Sequence, residues 1–362
     1  MEQEKKYAII NMFAVEGTPM KVSEYGSGHI NRTELVEISC GGHVSRYILQ
    51  QINTQIFSDV SKLMENIVKV TSFLKDKIKE LGGDPARETL QVIPTKDGSS
   101  YYQAENEYYR MYQFVEGTDS YDTASQPGIL YESGKAFGRF QQLLSDYPAD
   151  TLHETIPDFH NTPKRFAAFC SAVDADSCGR AASVADEIAF IKERKPQMQV
   201  LTGLLESGDL PVRVVHNDTK LNNILFDQKT RKGLCVIDLD TVMPGTLVYD
   251  FGDAIRFGAN TAAEDEPDVS KVSLDLELYQ QYVSGYLSGC NGSLTEKELQ
   301  MLPMGAKLMT LECGMRFLTD YLSGDTYFRV HRKGQNLDRC RTQLALVADM
   351  ERKWEQMMQC II

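Results

Sequence analysis

The sequence predicts an α+β fold with two lobes, a small lobe built on an antiparallel β-sheet and a larger lobe that is mainly helical. Three observations lead to this prediction. The first 115 residues contain short runs of strand-forming residues separated by glycine turns. Beyond residue 117, apolar residues recur mainly at helical spacings of three and four. The length of 362 residues is sufficient for two lobes that each bury a core.

The small lobe is predicted over residues 1–115. Its long helix is expected to end at Gly82-Gly83, because the apolar stripe stops there. The predicted elements are, in order, a short helix at 9–15, strands at 20–25, 33–39 and 46–52, the long helix at 61–81, and strands at 90–94 and 108–114.

The larger lobe is predicted over residues 116–362, after a hinge at about 110–118. Thr295 and Glu298 have the spacing of a capping box, which marks the start of one helix. A single last helix is expected from the apolar stripe between Leu337 and Ile361. The other predicted elements are helices at 130–144, 274–287 and 297–322, a mostly helical segment at 181–205 with an interruption near Pro196, and a β-rich segment at 212–237.

The composition argues against several classes of protein. Lys and Arg number 38 against 51 Asp and Glu, so the formal net charge is −13, which argues against a nucleic-acid-binding surface. No segment approaches the roughly 20 apolar residues that span a bilayer, and the N-terminus lacks the pattern of a signal peptide. The eight cysteines are scattered and are expected to be reduced. We therefore expect a cytoplasmic protein that binds neither nucleic acid nor membrane.

The most informative segment is VVHNDTKLNNILF, residues 214–226. A loop between two apolar runs carries Asp218 and Asn223 five positions apart, and Asp238 follows a short strand-like run. Two carboxylates and an amide oxygen are suitable ligands for Mg²⁺, and a carboxylate can accept the proton of a hydroxyl. These are the parts that phosphoryl transfer needs. The alternative is that His216-Asn217-Asp218 opens an ordinary turn.

This segment resembles the catalytic segment of the aminoglycoside phosphotransferase and choline kinase family, which has the two-lobed protein-kinase-like fold. Further segments are similar to the N-acetylhexosamine 1-kinases within that family. They occur in order along most of the chain: YGSGHIN at 25–31, YILQQIN at 47–53, RMYQFVEG at 110–117, DLDTVMPG at 238–245, DFGDAIRFGAN at 250–260 and ECGMRFLTDYL at 312–322.

The resemblance implies a role for each matching position, with ATP as co-substrate and Mg²⁺ as cofactor. Asp218 is implied to accept or orient the proton of the acceptor hydroxyl, while Asn223 and Asp238 hold Mg²⁺. The implied nucleotide-binding residues are Gly26, Ser27 and Gly28 over the phosphates and Met111, Gln113, Phe114 and Val115 at the adenine. The implied substrate-binding residues are Val22, His29, Asp218, Phe257 and Arg316. Asp250 is implied to bond back to the catalytic loop, and Asp240 either to assist the metal through water or to fix its own loop.

The function that the resemblance implies is phosphorylation of GlcNAc and GalNAc at the anomeric hydroxyl to the α-1-phosphate, by a monomer. The same fold also acts on aminoglycosides, choline-type amino alcohols or other sugars, and a silent nucleotide-binding module is a further alternative. The acidic run at 264–268 would suit an aminoglycoside, or it is a solvated loop. One departure is Gln50, which stands where the fold usually has a Lys or Arg on its third strand; the helix residue Glu65 accordingly has no predicted partner.

Overall fold

The computed structural model describes residues 2–26 and 30–361, and the chain forms two compact units. The first unit comprises Met1–Asp119, Asp150–Ile156 and Leu225–Met243, and the second comprises Ser120–Ala149, Pro157–Ile224 and Pro244–Ile362. The first unit is thus larger than residues 1–115, because two later segments of the chain fold as part of it.

The strands are β1 (Thr18–Glu24), β2 (Arg32–Cys40), β3 (His43–Gln51), β4 (Val92–Ile93), β5 (Tyr102–Ala104), β6 (Glu107–Gln113), β7 (Thr118–Asp119), β8 (Arg213–Val215), β9 (Ile224–Asp227), β10 (Gly233–Val236) and β11 (Met243–Gly245). The α-helices are α1 (Glu2–Ile10), α2 (Val60–Glu80), α3 (Pro85–Glu88), α4 (Ile129–Leu143), α5 (Thr162–Ala175), α6 (Ala185–Glu193), α7 (Val200–Glu206), α8 (Leu247–Gly258), α9 (Leu276–Cys290), α10 (Glu296–Leu322), α11 (Gln335–Arg352) and α12 (Trp354–Gln359).

The first unit is built on a six-stranded sheet in the order β1-β2-β3-β6-β4, with β5 also paired to β6. Its strand pairs are antiparallel, as the sequence predicts. A smaller sheet in the order β10-β9-β7 belongs to the same unit. Between β10 and β11, residues Leu239–Thr241 form a single 3₁₀ turn, which directly follows Asp238.

Helices α1 and α2 both belong to the first unit, and one of them differs from its prediction. The prediction of a long amphipathic helix at 61–81 is confirmed by α2, whose Asp59 cap accepts a hydrogen bond from Lys62 N at 3.1 Å. The prediction of a helix at 9–15 is wrong, because α1 ends at Ile10. Phe13 instead forms a β-bridge with Thr95 and is fully buried, so sheet pairing replaces helix beyond residue 10. The core of the sheet consists of Ile9, Ile10, Phe13, Val36, Ile38, Leu49, Tyr109 and Met111.

The second unit is mainly helical, and glycines permit its closest helix contact. Helices α4 and α9 pack so tightly that a methyl group added at Gly285 would lie 2.0 Å from the carbonyl oxygen of Tyr131. The predicted capping box of Thr295 and Glu298 is present at the start of α10. Helices α5 and α8 were not predicted.

The C-terminal stripe forms two helices rather than the single one that was predicted. α11 ends at Arg352, and α12 starts at Trp354. The side chain of Lys353 donates hydrogen bonds to Leu274 O at 2.7 Å and to Asp349 Oδ2 at 2.8 Å, which holds the chain at the break. In the part of the chain that is described, we find no helix with the length and apolar character needed to cross a membrane.

Candidate active site

The loop that carries Asp218, in the second unit, joins β8 to a 3₁₀ turn at Leu221–Asn223. The Asn223 amide nitrogen donates to the backbone oxygen of Asp218 at 2.8 Å and to Asp218 Oδ2 at 3.1 Å. The structure therefore brings these two predicted residues together. Asn217 has a φ of 64°, a left-handed conformation that Asn adopts more readily than most residues, and it turns the chain immediately before Asp218.

The Asp250 carboxylate, in the first turn of α8, fixes this loop. It accepts hydrogen bonds from His216 N at 2.8 Å, from Asn217 N at 2.7 Å and from the Gln141 side chain at 2.9 Å. The expectation that Asp250 bonds back to the catalytic loop is therefore confirmed. Burial raises the pKa of the Asp250 carboxyl, although these donors act in the opposite direction.

Lys220 neutralises the charge of Asp218. Its ammonium lies 2.8 Å from Asp218 Oδ1, and the Asp218 side chain is 23% exposed. Burial opposes ionisation of Asp218, but Lys220, His216 and Asn223 together lower the pKa of this carboxyl, while Asp218 raises the pKa of Lys220. Asp218 is thus an anion at neutral pH. Lys220 is not among the site residues predicted from the sequence, although it stands two positions after Asp218 in the segment that carries the motif.

A second carboxylate of α8 extends the fixation of the loop. Asp253 accepts from Thr219 N at 3.1 Å, and the Thr219 hydroxyl donates to Asp250 O at 2.5 Å. Asp253 is itself held by Arg256, whose other partner is Glu264 at 2.8 Å. The loop that carries Asp218 is therefore anchored to one turn of α8 at three residues, His216, Asn217 and Thr219.

The predicted metal ligands have donor atoms that suit Mg²⁺. Asn223 uses its amide nitrogen toward Asp218, so its side-chain oxygen remains the donor for a cation. Asp238, in the first unit, has a φ of 59° and directly precedes the 3₁₀ turn. No three His, Cys, Asp or Glu side chains within residues 2–26 and 30–361 form a group that could hold a metal. Proteins usually bind Mg²⁺ through one or two carboxylates together with substrate phosphates.

The predicted phosphate-binding loop is described only at its first residue. Gly26 has a φ of 79°, and a methyl group built there would meet no atom within 4 Å. This conformation is one that glycine adopts without strain. Ser27, Gly28 and His29 lie outside the described residues.

The predicted adenine-binding segment divides into buried and accessible positions. Met111 is fully buried in the core of the sheet, and Val115 is 5% exposed. Phe114 is half-buried, packs edge-to-face against Tyr25 and has the Arg46 guanidinium 4.3 Å from its ring centre. Gln113 uses its side chain to donate to Arg46 O at 3.1 Å. Within this segment, Phe114 and Gln113 have the more accessible side chains.

The predicted acceptor-binding residues are found in both units. In the first, Val22 is partly buried against the sheet core. In the second, Phe257 is half-buried in the last turn of α8. The Arg316 guanidinium on α10 lies 5.6, 5.9 and 5.5 Å from the ring centres of Phe159, Tyr327 and Phe328. Rings orient the planar cation while leaving its N–H groups able to donate to a ligand.

The acidic run at 264–268 is not a group of free carboxylates. Glu264 lies 2.8 Å from Arg256, and Glu266 lies 3.1 Å from Lys271. Asp265 accepts from Gln335 at 2.9 Å. Glu264, Asp265 and Glu266 are half-buried and bind neighbouring residues of the same unit, whereas Pro267 and Asp268 are exposed, so the run is a partly solvated loop.

Two further expectations concern single acids of the first unit. Glu65, which has no partner predicted from the sequence, pairs with Lys69 at 2.6 Å and His153 at 2.7 Å. Asp240 is 4% exposed and accepts from the Asn31 side chain at 2.6 Å, which favours the role of fixing its own loop.

Comparison with known proteins agrees with this geometry. The chain matches the phosphotransferase enzyme family (APH) over residues 21–282. It is similar to the structure of a microcompartment-associated aminopropanol kinase, with a TM-score of 0.65 and 18% identity over 98% of both chains. It is also similar to a spectinomycin phosphotransferase in complex with ADP and spectinomycin, with a TM-score of 0.59 and 12% identity over 98% of both chains. A choline kinase from Cryptosporidium parvum matches with a TM-score of 0.56 and 15% identity, covering 94% of this chain and 91% of that one.

These similarities confirm the predicted fold class, a protein-kinase-like fold with an antiparallel sheet lobe at the N-terminus and a larger helical lobe at the C-terminus. The match to the family covers more than half of the chain. It includes the loop that carries Asp218 and Asn223, the turn after Asp238 and the Asp250 clamp. This chain belongs to the phosphotransferase enzyme family.

Proposed function

We propose that this phosphotransferase is an ATP- and Mg²⁺-dependent kinase that transfers the γ-phosphoryl group to a hydroxyl of a small molecule. The observation that carries the proposal is the hydrogen bond from Asn223 to Asp218, in a loop that Asp250 fixes through two backbone N–H groups. A proton acceptor and a metal-binding oxygen are thereby held at a fixed separation, as positioning catalysis requires.

Asp218 is the proton acceptor in this proposal. Its lowered pKa keeps it ionised at neutral pH, so it accepts a hydrogen bond from the attacking hydroxyl and takes the proton as the phosphoryl group transfers. Lys220, which lies against Asp218, can donate to the transferred phosphoryl oxygens once substrate binds. Asn223 and Asp238 would hold Mg²⁺, which neutralises charge on the phosphates.

The nucleotide is proposed to bind through residues 26–28 and the segment from Met111 to Val115. The similar spectinomycin phosphotransferase binds ADP, which supports an adenine nucleotide here. Phe114 offers an aromatic face that is already fixed by Tyr25 and Arg46. We also expect the protein to act as a monomer in the cytoplasm.

The acceptor that we favour is an N-acetylhexosamine, phosphorylated at its anomeric hydroxyl to the α-1-phosphate. Arg316 supports a neutral acceptor rich in oxygen, because its N–H groups can only donate. The ion pairs of Glu264 and Glu266 also occupy two of the carboxylates that a polyamine acceptor could use. Val22, His29 and Phe257 are the other residues proposed to surround the sugar.

An amino alcohol or aminoglycoside is the second candidate acceptor. The similar structures include an aminopropanol kinase, a choline kinase and a spectinomycin phosphotransferase, and they support this class more directly than they support a hexosamine. A cationic acceptor would, however, have to bind in a region that already contains Arg316, and Arg316 with burial lowers the pKa of Arg165 nearby.

An acceptor panel followed by phosphorus NMR distinguishes these candidates. The protein is incubated with ATP, Mg²⁺ and, in separate tubes, GlcNAc, GalNAc, aminopropanol, choline or spectinomycin. We expect a new anomeric phosphate resonance with the two hexosamines, and none with Asp218→Asn. Transfer only to the amines would replace the favoured acceptor by the second candidate. Binding of Mg-ATP without transfer to any acceptor would instead indicate a silent module.

A further inference from the structure

A guanidinium is buried within the sheet of the first unit. Arg110 on β6 is 1% exposed and stands directly opposite Gln50 of β3 in the antiparallel register. Opposite residues of an antiparallel pair lie on the same face of the sheet. Accordingly, Arg110 Nε donates to Gln50 Oε1 at 2.9 Å. Gln50 of β3, which stands where the fold usually has a cation, therefore has the cation of Arg110 beside it on β6.

Arg110 reaches the turn that follows Asp238. Its Nη1 atom lies 2.5 Å from Asp240 Oδ1, and Asp240 is itself 4% exposed. The other carboxylate oxygen accepts from the Asn31 side chain at 2.6 Å, and Asn31 Oδ1 accepts from Asn53 N at 3.0 Å. One carboxylate oxygen of Asp240 therefore forms an ion pair with Arg110 and the other accepts a hydrogen bond from Asn31, and both partners belong to the first unit.

The turn is held at its far end as well. The Asn66 side chain on α2 donates to Val242 O at 3.0 Å and to His153 O at 2.8 Å. Residues 239–241 lie between these two attachments, and Asp238, with its left-handed φ of 59°, immediately precedes them. Fixing Asp240 and Val242 therefore restricts the backbone from which the Asp238 carboxylate extends.

Burying a charge pair is expensive for folding, because each ion loses its hydration. Arg110 and Asp240 together create a connection that neither could make alone. The pair links strand β6 to the turn that follows Asp238. Through Asp240 it also links both of these to Asn31, which follows the proposed phosphate-binding segment 26–28. The charge also lies near the proposed metal ligand, since Asp238 and Asp240 both act electrostatically on Arg110.

We propose that Arg110 is a positioning residue for phosphoryl transfer. Together with Asn31 it fixes Asp240, and so holds the Asp238 carboxylate in the orientation that binds the magnesium–nucleotide complex. Arg110 thereby supplies from β6 the positive charge that Gln50 does not supply from β3. This inference rests on the proposed function, because it assigns a role toward the same metal and nucleotide.

The test is calorimetric binding of ADP to the full chain, with and without Mg²⁺, for wild type and Arg110→Gln. We expect the Mg²⁺-dependent gain in ADP affinity to fall at least tenfold in the variant, while ADP binding without metal changes less than twofold. Lys5→Gln is the control, because it removes a cation that pairs with Glu107 on the same strand, and it should behave as wild type. An unchanged Mg²⁺-dependent gain in Arg110→Gln would overturn the proposal.

Two further variants keep the test decisive if Arg110→Gln folds poorly. The double variant Arg110→Gln/Asp240→Asn leaves no buried charge unpaired, and we expect it to fold and to lose the same Mg²⁺-dependent gain. Wild-type binding by this double variant would contradict the role of the pair. Arg110→Lys retains the charge and should keep at least a third of the gain, whereas a loss equal to that of Arg110→Gln would show that charge is not what matters.

The same measurement separates this inference from the proposed function. If wild type binds ADP in a Mg²⁺-dependent way but phosphorylates no acceptor in the panel, the kinase assignment fails while the binding data still decide the role of Arg110. If wild type phosphorylates an acceptor and Arg110→Gln does so with an unchanged Mg²⁺ requirement, the assignment stands and the inference about Arg110 fails.

Discussion

Two buried aspartates, one in each unit, stabilise loops that carry the proposed catalytic and metal-binding acids, and they do so by different means. Asp250 is 1% exposed and accepts hydrogen bonds from two backbone N–H groups and from the neutral side chain of Gln141. Asp240 is 4% exposed and binds a buried cation, Arg110, together with one amide. One loop is thus held by peptide dipoles and the other by a charge pair.

Because the two loops are held differently, we expect them to respond differently when their supporting aspartates are substituted. Backbone donors stay in place whatever side chain replaces Asp250, so a substitution there costs mainly hydrogen bonds. Loss of Asp240 instead leaves the Arg110 guanidinium buried without its counter-ion, which is more expensive. The two loops should therefore differ in stability and in metal dependence when their carboxylates are replaced.

The largest effect is expected from removing the acid that the Asp250 clamp supports. Asp218→Asn should lower kcat by about 10³-fold, since general-base catalysis contributes about 10²–10⁴. ADP affinity should stay within a few-fold, because Asp218 faces the acceptor in the proposed mechanism. Steady-state kinetics and calorimetry measure the two quantities, and a variant that retains its turnover would remove Asp218 from the mechanism.

The next largest effect concerns the charge pair. Asp240→Ala should lower the free energy of unfolding by about 4 kcal/mol, because breaking one side of a buried pair typically costs 3–5 kcal/mol. Urea titration followed by circular dichroism measures this change. A loss below about 1 kcal/mol would mean that Arg110 finds another partner or water, and the contrast between the two loops would disappear.

Asp250→Asn should have a smaller effect on stability. The asparagine keeps one accepting oxygen but places an NH₂ group against a backbone N–H, so we expect a loss of about 2 kcal/mol. The same titration tests it beside Asp240→Ala. Equal losses in the two variants would show that peptide dipoles and a buried cation are equivalent here.

A third buried carboxylate, that of Asp349, should make the free energy of unfolding depend on pH. Burial opposes the ionisation of Asp349, yet hydrogen bonds from Lys353, Ser273 and the Leu274 N–H lower its pKa from 3.8 to about 2. Because the folded pKa is depressed, its contribution is present above about pH 4 and is lost as the pH falls toward 2. Asp349→Asn should cost about 2 kcal/mol at pH 7. The difference from wild type should shrink as the pH falls, and a difference independent of pH would contradict this assignment.

Much of the fold follows from local sequence patterns. The α2 stripe, the capping box of α10 and the strand predicted at 33–39 each depend on residues a few positions apart, and the structure confirms them. The C-terminal stripe shows the limit of this approach. Its apolar spacing continues through residue 353, so the sequence could not reveal that contacts of Lys353 with Leu274 interrupt the helix.

The candidate site likewise contains some contacts that could be predicted from the sequence and others that could not. Asp218 and Asn223 lie in one motif, and their contact could be expected from a spacing of five residues. Arg110 could not be paired with Asp240, because this requires the register of β3 against β6 and the path of a turn some 130 residues later. The rings around Arg316 likewise come from residues 159, 327 and 328, which share no sequence pattern.

The fate of the terminal phosphate of ATP tests the proposed kinase activity directly. The protein is given γ-labelled ATP, with and without Mg²⁺, and a mixture of hexosamine and amino-alcohol acceptors, and the products are separated by chromatography. We predict that label moves to an organic acceptor only when Mg²⁺ and Asp218 are both present. Label that stays in ATP, or that is released only as inorganic phosphate, would contradict the proposed transfer to an acceptor hydroxyl.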